Sequence, residues 1–159
     1  MKKATLILSS LAFLLASGCG SSDGSDEPAI HIVSPDDDAS YRAGEGIIYA
    51  IHVDNFSLAV PLNLRSALRH AGEEHSTTDM DMSSTETNPE AREGHYHIYL
   101  DDHAGADSHV TAWTEEGVFE LPLEIEPGHH SLRFELRDNE HIIVGTPESE
   151  ASVHFMVVE

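Results

Sequence analysis

The clearest pattern along the chain is an alternation of apolar and polar residues with a period of two. Such alternation predicts β-strands that turn one face to a core and the other face to solvent. The apolar positions fall in six segments: Ile30 and Ile32; Ile47, Tyr49, Ile51 and Val53; Tyr96, Ile98 and Leu100; Phe119, Leu121, Leu123 and Ile125; Leu132, Phe134 and Leu136; and Val153, Phe155 and Val157. Because one-sided burial is typical of antiparallel sheets, the pattern predicts an all-β fold.

The segment between residues 56 and 68 fits two interpretations. Its apolar residues alternate as far as Leu64, but Pro61 would confine a strand there to the edge of a sheet. A short helix over residues 62–71 is the competing interpretation. We expect a strand that continues to about residue 64.

Two polar stretches define the organisation of the chain. Residues 19–28 contain no large apolar side chain, which is typical of a flexible tether. Residues 69–94 contain no Val, Ile, Leu, Phe, Tyr or Trp, so they cannot bury enough apolar area to offset the entropy of ordering, and we expect a mobile insertion. Without this insertion, residues 29–159 have close to the length of an immunoglobulin-like domain, about 100 residues. We therefore predict one antiparallel Ig-like β-sandwich of about seven or eight strands over residues 29–159.

The N-terminus has the features of a secretory signal over residues 1–18. Lys2 and Lys3 precede an apolar run at residues 4–15. This run is shorter than the roughly 20 residues that a membrane-spanning helix needs.

The end of this signal, Leu15-Ala16-Ser17-Gly18-Cys19, resembles a bacterial lipobox, although Ala16 stands where Leu is commoner. The resemblance implies cleavage before Cys19 and a diacylglycerol on its sulfur, which would attach the protein to a membrane. Gly20, in place of Asp, implies the outer membrane of a Gram-negative bacterium. A plain signal peptide with a coincidental cysteine is the alternative.

The charge of the chain limits its partners. The formal net charge is −21, and removal of residues 1–18 leaves no lysine, six arginines and 29 acidic residues, so 6 − 29 gives −23. Such a charge argues against nucleic-acid binding, which needs a basic face, and against attraction to anionic lipid. Membrane attachment must then come from the lipid on Cys19. The single cysteine also excludes an internal disulfide framework.

The histidines are the candidate functional residues. The usual enzyme motifs (a glycine-rich phosphate loop, G-x-S-x-G, H-E-x-x-H) do not occur, so we predict no catalytic activity. His95 and His97 lie two residues apart on one predicted strand, so their side chains share a face. Imidazole suits zinc or copper. Since Tyr96 and Ile98 take the core face, we expect His95 and His97 to face outward, where an ion could reach them.

Several other histidines could complete a metal site. His129 and His130 follow the predicted Pro127-Gly128 turn, and His141 lies just past a strand end. His103 and His109 flank the loop after the strand of His95. Neighbouring strands are ~4.8 Å apart, so a ligand one strand away is within reach, and spacing alone leaves these alternatives open. The isolated strand positions His31, His52 and His154 are expected to be exposed surface residues.

Three short motifs resemble those of a group of small bacterial exported Ig-like domains, largely uncharacterised. They are Gly94-His95-Tyr96-His97, Pro127-Gly128-His129-His130-Ser131-Leu132 and Asp138-Asn139-Glu140-His141, which are similar to the G-H-x-H, P-G-x-H-x-L and N/D-x-x-H motifs of that group. A strict match of the second motif selects His129. The resemblance implies a common fold and clustered histidines, with metal binding suspected, and no activity.

The predicted function is a lipid-anchored, periplasm-facing protein that binds Cu or Zn through His95, His97 and one or two of His129, His130 and His141. One alternative is a structural or partner-binding sandwich with incidental histidines. A weaker alternative is an enzyme similar to copper–zinc superoxide dismutase, which also carries His-x-His on a strand. The chain lacks the cysteine pair of that enzyme and an evident copy of its long metal-binding loop.

Overall fold

The computed structural model describes residues 26–61, 86–101 and 109–159, and this part of the chain is built from β-strands and the turns between them. The strands are β1 (Ala29–Ser34), β2 (Ala39–Arg42), β3 (Gly46–Asp54), β4 (Ser57–Leu58), β5 (Glu93–Leu100), β6 (His109–Ala112), β7 (Glu116–Glu120), β8 (Gly128–Asp138) and β9 (Glu150–Val158). The described residues contain no helix, so the all-β prediction is confirmed.

Several predictions fall outside the described residues. These are the secretory signal, Cys19 and most of the tether, the competing helix at 62–71, residues 69–85 of the insertion, and His103. The described end of the insertion pairs with the rest of the fold, because Thr87 forms a bridge with Ile143 and strand β5 begins at Glu93. No described segment forms a helix with the length and apolarity that a membrane crossing would require.

The strands form two sheets. The small sheet has the order β1-β3-β7 and is antiparallel throughout. The large sheet has the order β2-β9-β8-β5-β4, with β6 also paired to β5, and it curls into a half-barrel. Its central pairs are antiparallel, whereas the short strands β2 and β4 pair in parallel with β9 and β5. Two sheets are therefore present, and the centre of the large one consists of β5 and β8.

The hydrophobic core contains the apolar faces that the alternation predicts. Tyr49 of the small sheet meets Phe134 of the large sheet edge-to-face, with ring centroids 5.4 Å apart. The hydroxyl of Tyr96 donates to the carbonyl oxygen of Thr114 at 2.6 Å, which satisfies a phenol that is otherwise buried in this core. Full burial of one Val, Leu, Ile or Phe side chain in this core contributes about 1.5–3 kcal/mol to the free energy of unfolding. The fully or mostly buried residues of the core are Ile30, Ile47, Tyr49, Ile51, Phe56, Tyr96, Ile98, Phe119, Leu121, Leu132, Phe134, Leu136, Val144, Val153, Phe155 and Val157.

The predicted inward position of Leu123 is wrong. Strand β7 ends at Glu120, and Leu123 is 79% exposed. Pro122 has no N–H with which to continue the ladder of hydrogen bonds. Its carbonyl instead accepts a hydrogen bond from the backbone N–H of Ile125 at 3.3 Å, which closes a turn.

The two central strands are buried on both faces, which positions the site described below. Six consecutive residues of β5, from Gly94 to Tyr99, are buried, as are the last seven of β8, from Leu132 to Asp138. One face of this strand pair is apolar and lies in the core. The other face is polar, and it is buried as well.

Candidate metal centre

His95 and His97 lie side by side on the polar face of β5. Tyr96, between them, points into the core, so the predicted division of the two faces is correct. Their predicted accessibility is wrong: His95 is 0% exposed and His97 is 1% exposed. The polar face is covered, so an ion at this position would be held below the surface of the protein.

His141 is brought to this pair by the turn that follows β8. The carboxylate of Asp138, the last residue of β8, accepts hydrogen bonds from the backbone N–H groups of Glu140 and Ile142, both at 2.9 Å. His141 has a φ of 66° inside this turn. A left-handed conformation costs a non-glycine residue about 1 kcal/mol or more, so the surrounding hydrogen bonds must hold it in place. The turn thereby directs an imidazole back over β8 toward β5.

The three histidines converge on one point. Nε2 of His95 lies 3.2 Å from Nε2 of His97 and 3.1 Å from Nδ1 of His141. One nitrogen from each of the three lies within 4.8 Å of the others. Zinc–nitrogen bonds of 2.0–2.1 Å separate neighbouring ligand nitrogens by about 3.3–3.4 Å around a tetrahedral ion, so the observed spacing fits a shared metal ion.

Gly94 allows the two central strands to approach where the site is built. A Cβ at this position would lie 2.0 Å from the carbonyl oxygen of Arg137 and 2.8 Å from Cα of Asp138. Because both of those are backbone atoms, no side-chain movement could make room for it. The glycine of the G-H-x-H motif therefore has a steric role next to the first histidine.

A fourth histidine, His109, forms one wall of the site. It is the first residue of β6 and lies opposite Tyr99 in the register of β5 and β6. Its ring stacks on the ring of His97 with centroids 4.0 Å apart and planes inclined by 19°. Among the described residues, the group of possible ligands contains His95, His97 and His141, so His109 is placed as a packing partner of His97.

The environment keeps the three imidazoles neutral. Burial lowers the pKa of His95 to about 3, and the neighbouring His141, Arg137 and His109 contribute in the same direction. Burial also lowers the pKa of His97, with His109 and His95 as further causes. The pKa of His141 is lowered by burial and then by Arg137. Metal binding needs the unprotonated nitrogen, so these shifts favour an ion over protons near neutral pH.

The orientation of the His97 ring is set by Tyr99 and two charged residues. Arg137 donates from Nη2 to the hydroxyl oxygen of Tyr99 at 3.1 Å, and that hydroxyl donates to Oε1 of Glu135 at 3.3 Å. The same oxygen lies 3.2 Å from Nδ1 of His97. Because the hydroxyl hydrogen is directed to Glu135, Nδ1 of His97 acts as the donor, and Nε2 is left with a free lone pair on the side of His95. This tautomer is the one that a metal ligand needs.

Charged groups continue this network away from the site. Arg133 donates from Nη1 to Glu135 at 2.7 Å and to Glu150 at 2.9 Å, and its guanidinium lies 4.2 Å from the centre of the Tyr99 ring. Arg137 forms an ion pair with Glu135 and donates to the backbone carbonyl of His141 at 2.9 Å. The ligands and the residues that support them are thus connected by one buried network. The alternation along β8 predicts that Arg133, Glu135 and Arg137 face solvent, but all three are buried. The signal in the sequence is the alternation of positive and negative charge at these three positions, which lie opposite Tyr99, His97 and His95.

One nitrogen of the site has no hydrogen-bond partner within the described part of the chain. This is Nδ1 of His95, which is fully buried. An unsatisfied buried polar atom costs about 1–3 kcal/mol, and natural proteins retain few of them outside functional sites.

His129 and His130 are not part of the group of three. His129 is exposed near the start of β8. His130 binds elsewhere, with Nδ1 2.7 Å from a carboxylate oxygen of Asp101 and Nε2 2.8 Å from the carbonyl oxygen of Glu126. Arg137, which lies opposite His95, is seven residues further along β8 than His130, a separation of about 23 Å along a strand.

His31 and His52 are exposed, as predicted, but they are not isolated. They lie directly opposite each other on β1 and β3. Both contact the carboxylate of Asp54, at 3.2 and 3.3 Å, and both side chains are half exposed or more. This surface pair of imidazoles offers a natural control for experiments on the buried group.

No family model matches the chain, and neither the curated proteins nor the solved structures contain a match to it.

Proposed function

We propose that this protein binds one copper or zinc ion through His95, His97 and His141, as a non-catalytic metal-binding domain. The observation that carries the proposal is the convergence of the three imidazole nitrogens, with His95 Nε2 at 3.1 and 3.2 Å from the other two. A metal ligand set requires such convergence, here of two neighbouring residues on one strand face and one residue from a turn far away in sequence. Histidines that merely made an exposed face polar would have no reason to converge.

The chemistry of the donor set fits copper or zinc. The group supplies three nitrogens and neither a thiolate nor a carboxylate. Imidazole nitrogens suit these two metals, whereas calcium and magnesium prefer oxygen ligands. The hydrogen bond from His97 Nδ1 to Tyr99 supplies the outer support that histidine ligands usually have.

Deep burial supports a binding role over a catalytic one. Two of the three ligands are exposed by 1% or less. A catalytic ion needs an open coordination position that a substrate can reach. His141 is only partly buried, but protein encloses the position of the ion on the side of His95 and His97, which suits holding an ion better than presenting it to a substrate.

The location of the protein belongs to the same proposal. The lipobox-like residues ending at Cys19 support lipid attachment to the outer membrane, with the domain in the periplasm. The Ig-like assignment of the domain is supported by its two sheets and by the antiparallel pairing of the small sheet and of the centre of the large one. The curled large sheet is a departure from a flat-layered sandwich.

Calorimetric titration of the purified full-length protein with Zn²⁺ and with copper tests the metal site. We expect binding at micromolar or lower Kd that His141→Ala weakens at least tenfold. The double variant His31→Ala with His52→Ala is the matched control, because it removes two imidazoles from the exposed surface and leaves the buried group intact. Binding that survives His141→Ala unchanged, or that disappears in the surface variant alone, would refute the proposed site.

A further inference from the structure

We infer that the trihistidine site is built for a monovalent ion, Cu⁺, in preference to Zn²⁺ or Cu²⁺. This inference rests on the proposed function and adds the charge of the ion. It follows from the neutrality of the ligands, their burial, and the fixed charges beside them.

The ligands do not reduce the charge of the ion they hold. All three donors in the group are imidazoles, and no carboxylate or thiolate belongs to it among the described residues. A bound ion would therefore keep its full charge inside the protein. Zinc sites in proteins commonly offset this charge with anionic ligands or keep a water molecule as a fourth ligand.

Burial makes that retained charge expensive in proportion to its square. His95 and His97 are exposed by 1% or less, so the ion would be surrounded by protein on the side of these ligands. The free energy lost when an ion leaves water rises with the square of its charge, so a dication loses about four times as much as a monocation of the same size. Neutral ligands in a buried position thus favour the ion of lower charge.

A fixed positive charge lies beside the site. Arg137 lies opposite His95 in the register of β5 and β8, and its Nη1 donates to the carbonyl of His141 at 2.9 Å. An arginine side chain does not lose its proton in a protein, so this charge remains when a metal ion enters. Its repulsion is twice as large for a dication as for a monocation.

The carboxylates near the site are directed to other partners. Glu135 is shared between Arg133 and Arg137, and Glu150 pairs with Arg133 from a half-exposed position. Asp138 accepts hydrogen bonds from Asn88 and from the backbone of the turn. These carboxylates therefore balance the arginines and the turn, and within the described ranges of the chain none belongs to the ligand group.

Coordination number favours the same ion. Cu⁺ is stable with two or three nitrogen ligands, whereas Zn²⁺, which has the same filled d shell, almost always takes four ligands in structural sites. The described residues supply three converging nitrogens, and His109 presents its ring face to His97 by stacking.

Competition titrations of the full-length protein, under anaerobic conditions for Cu⁺, compare the three ions directly. With Cu⁺ supplied from a colorimetric chelator, we expect an affinity at least 100-fold higher than for Zn²⁺ and higher than for Cu²⁺. Ag⁺, a monovalent ion that does not change its oxidation state, should compete with Cu⁺, whereas equimolar Zn²⁺ should not. Zn²⁺ or Cu²⁺ binding as tight as that of Cu⁺, and lost in His141→Ala, would overturn the inference and leave the proposed function standing. The absence of any binding that depends on His141 would overturn both.

Two charge variants test the cause. Arg137→Gln removes the positive charge next to the ligands and should lower the ratio of Cu⁺ to Zn²⁺ affinity about tenfold. Glu135→Gln removes a negative charge and should raise that ratio. Damage to the fold would lower the affinities for Cu⁺ and for Zn²⁺ together. It would not lower their ratio in one variant and raise it in the other. An unchanged ratio in folded variants would contradict the electrostatic explanation, and if neither variant folds, the comparison of ions on the wild-type protein decides.

Discussion

The hydroxyl of Tyr99 lies 3.2 Å from Nδ1 of His97, while Nε2 on the other side of the same ring lies 3.2 Å from His95. One imidazole thus connects the converging ligands to a buried network of charged residues. Because Tyr99 receives a hydrogen bond from Arg137 and donates one to Glu135, it determines which nitrogen of His97 carries the proton.

Removal of this hydroxyl should weaken metal binding. In Tyr99→Phe the ring remains but His97 loses its hydrogen-bond partner at Nδ1, and we expect the metal affinity to fall by about 10- to 100-fold. Competition titration measures the effect. Tyr41→Phe removes a phenol hydroxyl from β2, at the edge of the large sheet, and should leave the affinity unchanged. Equal affinities for wild type and Tyr99→Phe would mean that the hydroxyl does not orient the ligand.

Substitution of Gly94 by alanine should destabilise the whole domain. The added methyl group would overlap the backbone of Arg137 and Asp138, so β5 and β8 must separate, at a cost of about 1–3 kcal/mol. Urea unfolding measures the change in the free energy of unfolding. Gly46→Ala is the control on β3, because its Cβ would meet only side-chain atoms of Val118 and Glu120, which can move. A loss no larger than in this control would show that the close approach of the strands is dispensable.

His130 should make stability depend on pH with a defined sign. Burial disfavours its charged form, but the hydrogen bonds to Asp101 and to the Glu126 carbonyl outweigh it, so the pKa of His130 is raised. A raised pKa in the folded state means that the charged form stabilises the fold. This stabilisation is fully present below the unfolded pKa of about 6.5 and is lost as pH rises through the folded pKa.

The free energy of unfolding, measured for wild type and His130→Gln, reports this contribution. The difference between the two proteins should be larger at pH 6 than at pH 9. His129→Gln, at the exposed neighbouring position, should show no such trend. A difference that grows with increasing pH would reverse the sign and contradict the assignment.

Metal binding should raise the thermal stability of the protein. An ion at 100 times its Kd that binds only the folded chain adds about 2.7 kcal/mol to the free energy of unfolding. A scan of Tm with and without metal, followed by addition of a chelator, measures the change and its reversal. The increase should persist in His154→Ala, which removes an exposed histidine on β9, and disappear in His141→Ala. An equal increase in all three proteins would place the bound ion elsewhere.

Local patterns in the sequence predict much of the fold. Alternation with a period of two is a property of each strand alone, and it correctly divides the core face of Tyr96 from the face of His95 and His97. It fails at Leu123, where Pro122 ends the hydrogen-bond ladder and a turn exposes the leucine. The pattern of a strand does not show where its neighbours stop pairing with it.

The sequence by itself thus determined an all-β chain and two histidines on one strand face, because side chains on a strand alternate whatever surrounds them. Only the tertiary structure decided that this face is buried and that His141, and neither His129 nor His130, joins it. The reason is geometric: His130 lies near the start of β8 and His141 just past its end, and the turn held by Asp138 brings His141 back to β5. Which end of β8 lies next to His95 is set by the register of β8 on β5, and that register depends on the packing of the whole sheet.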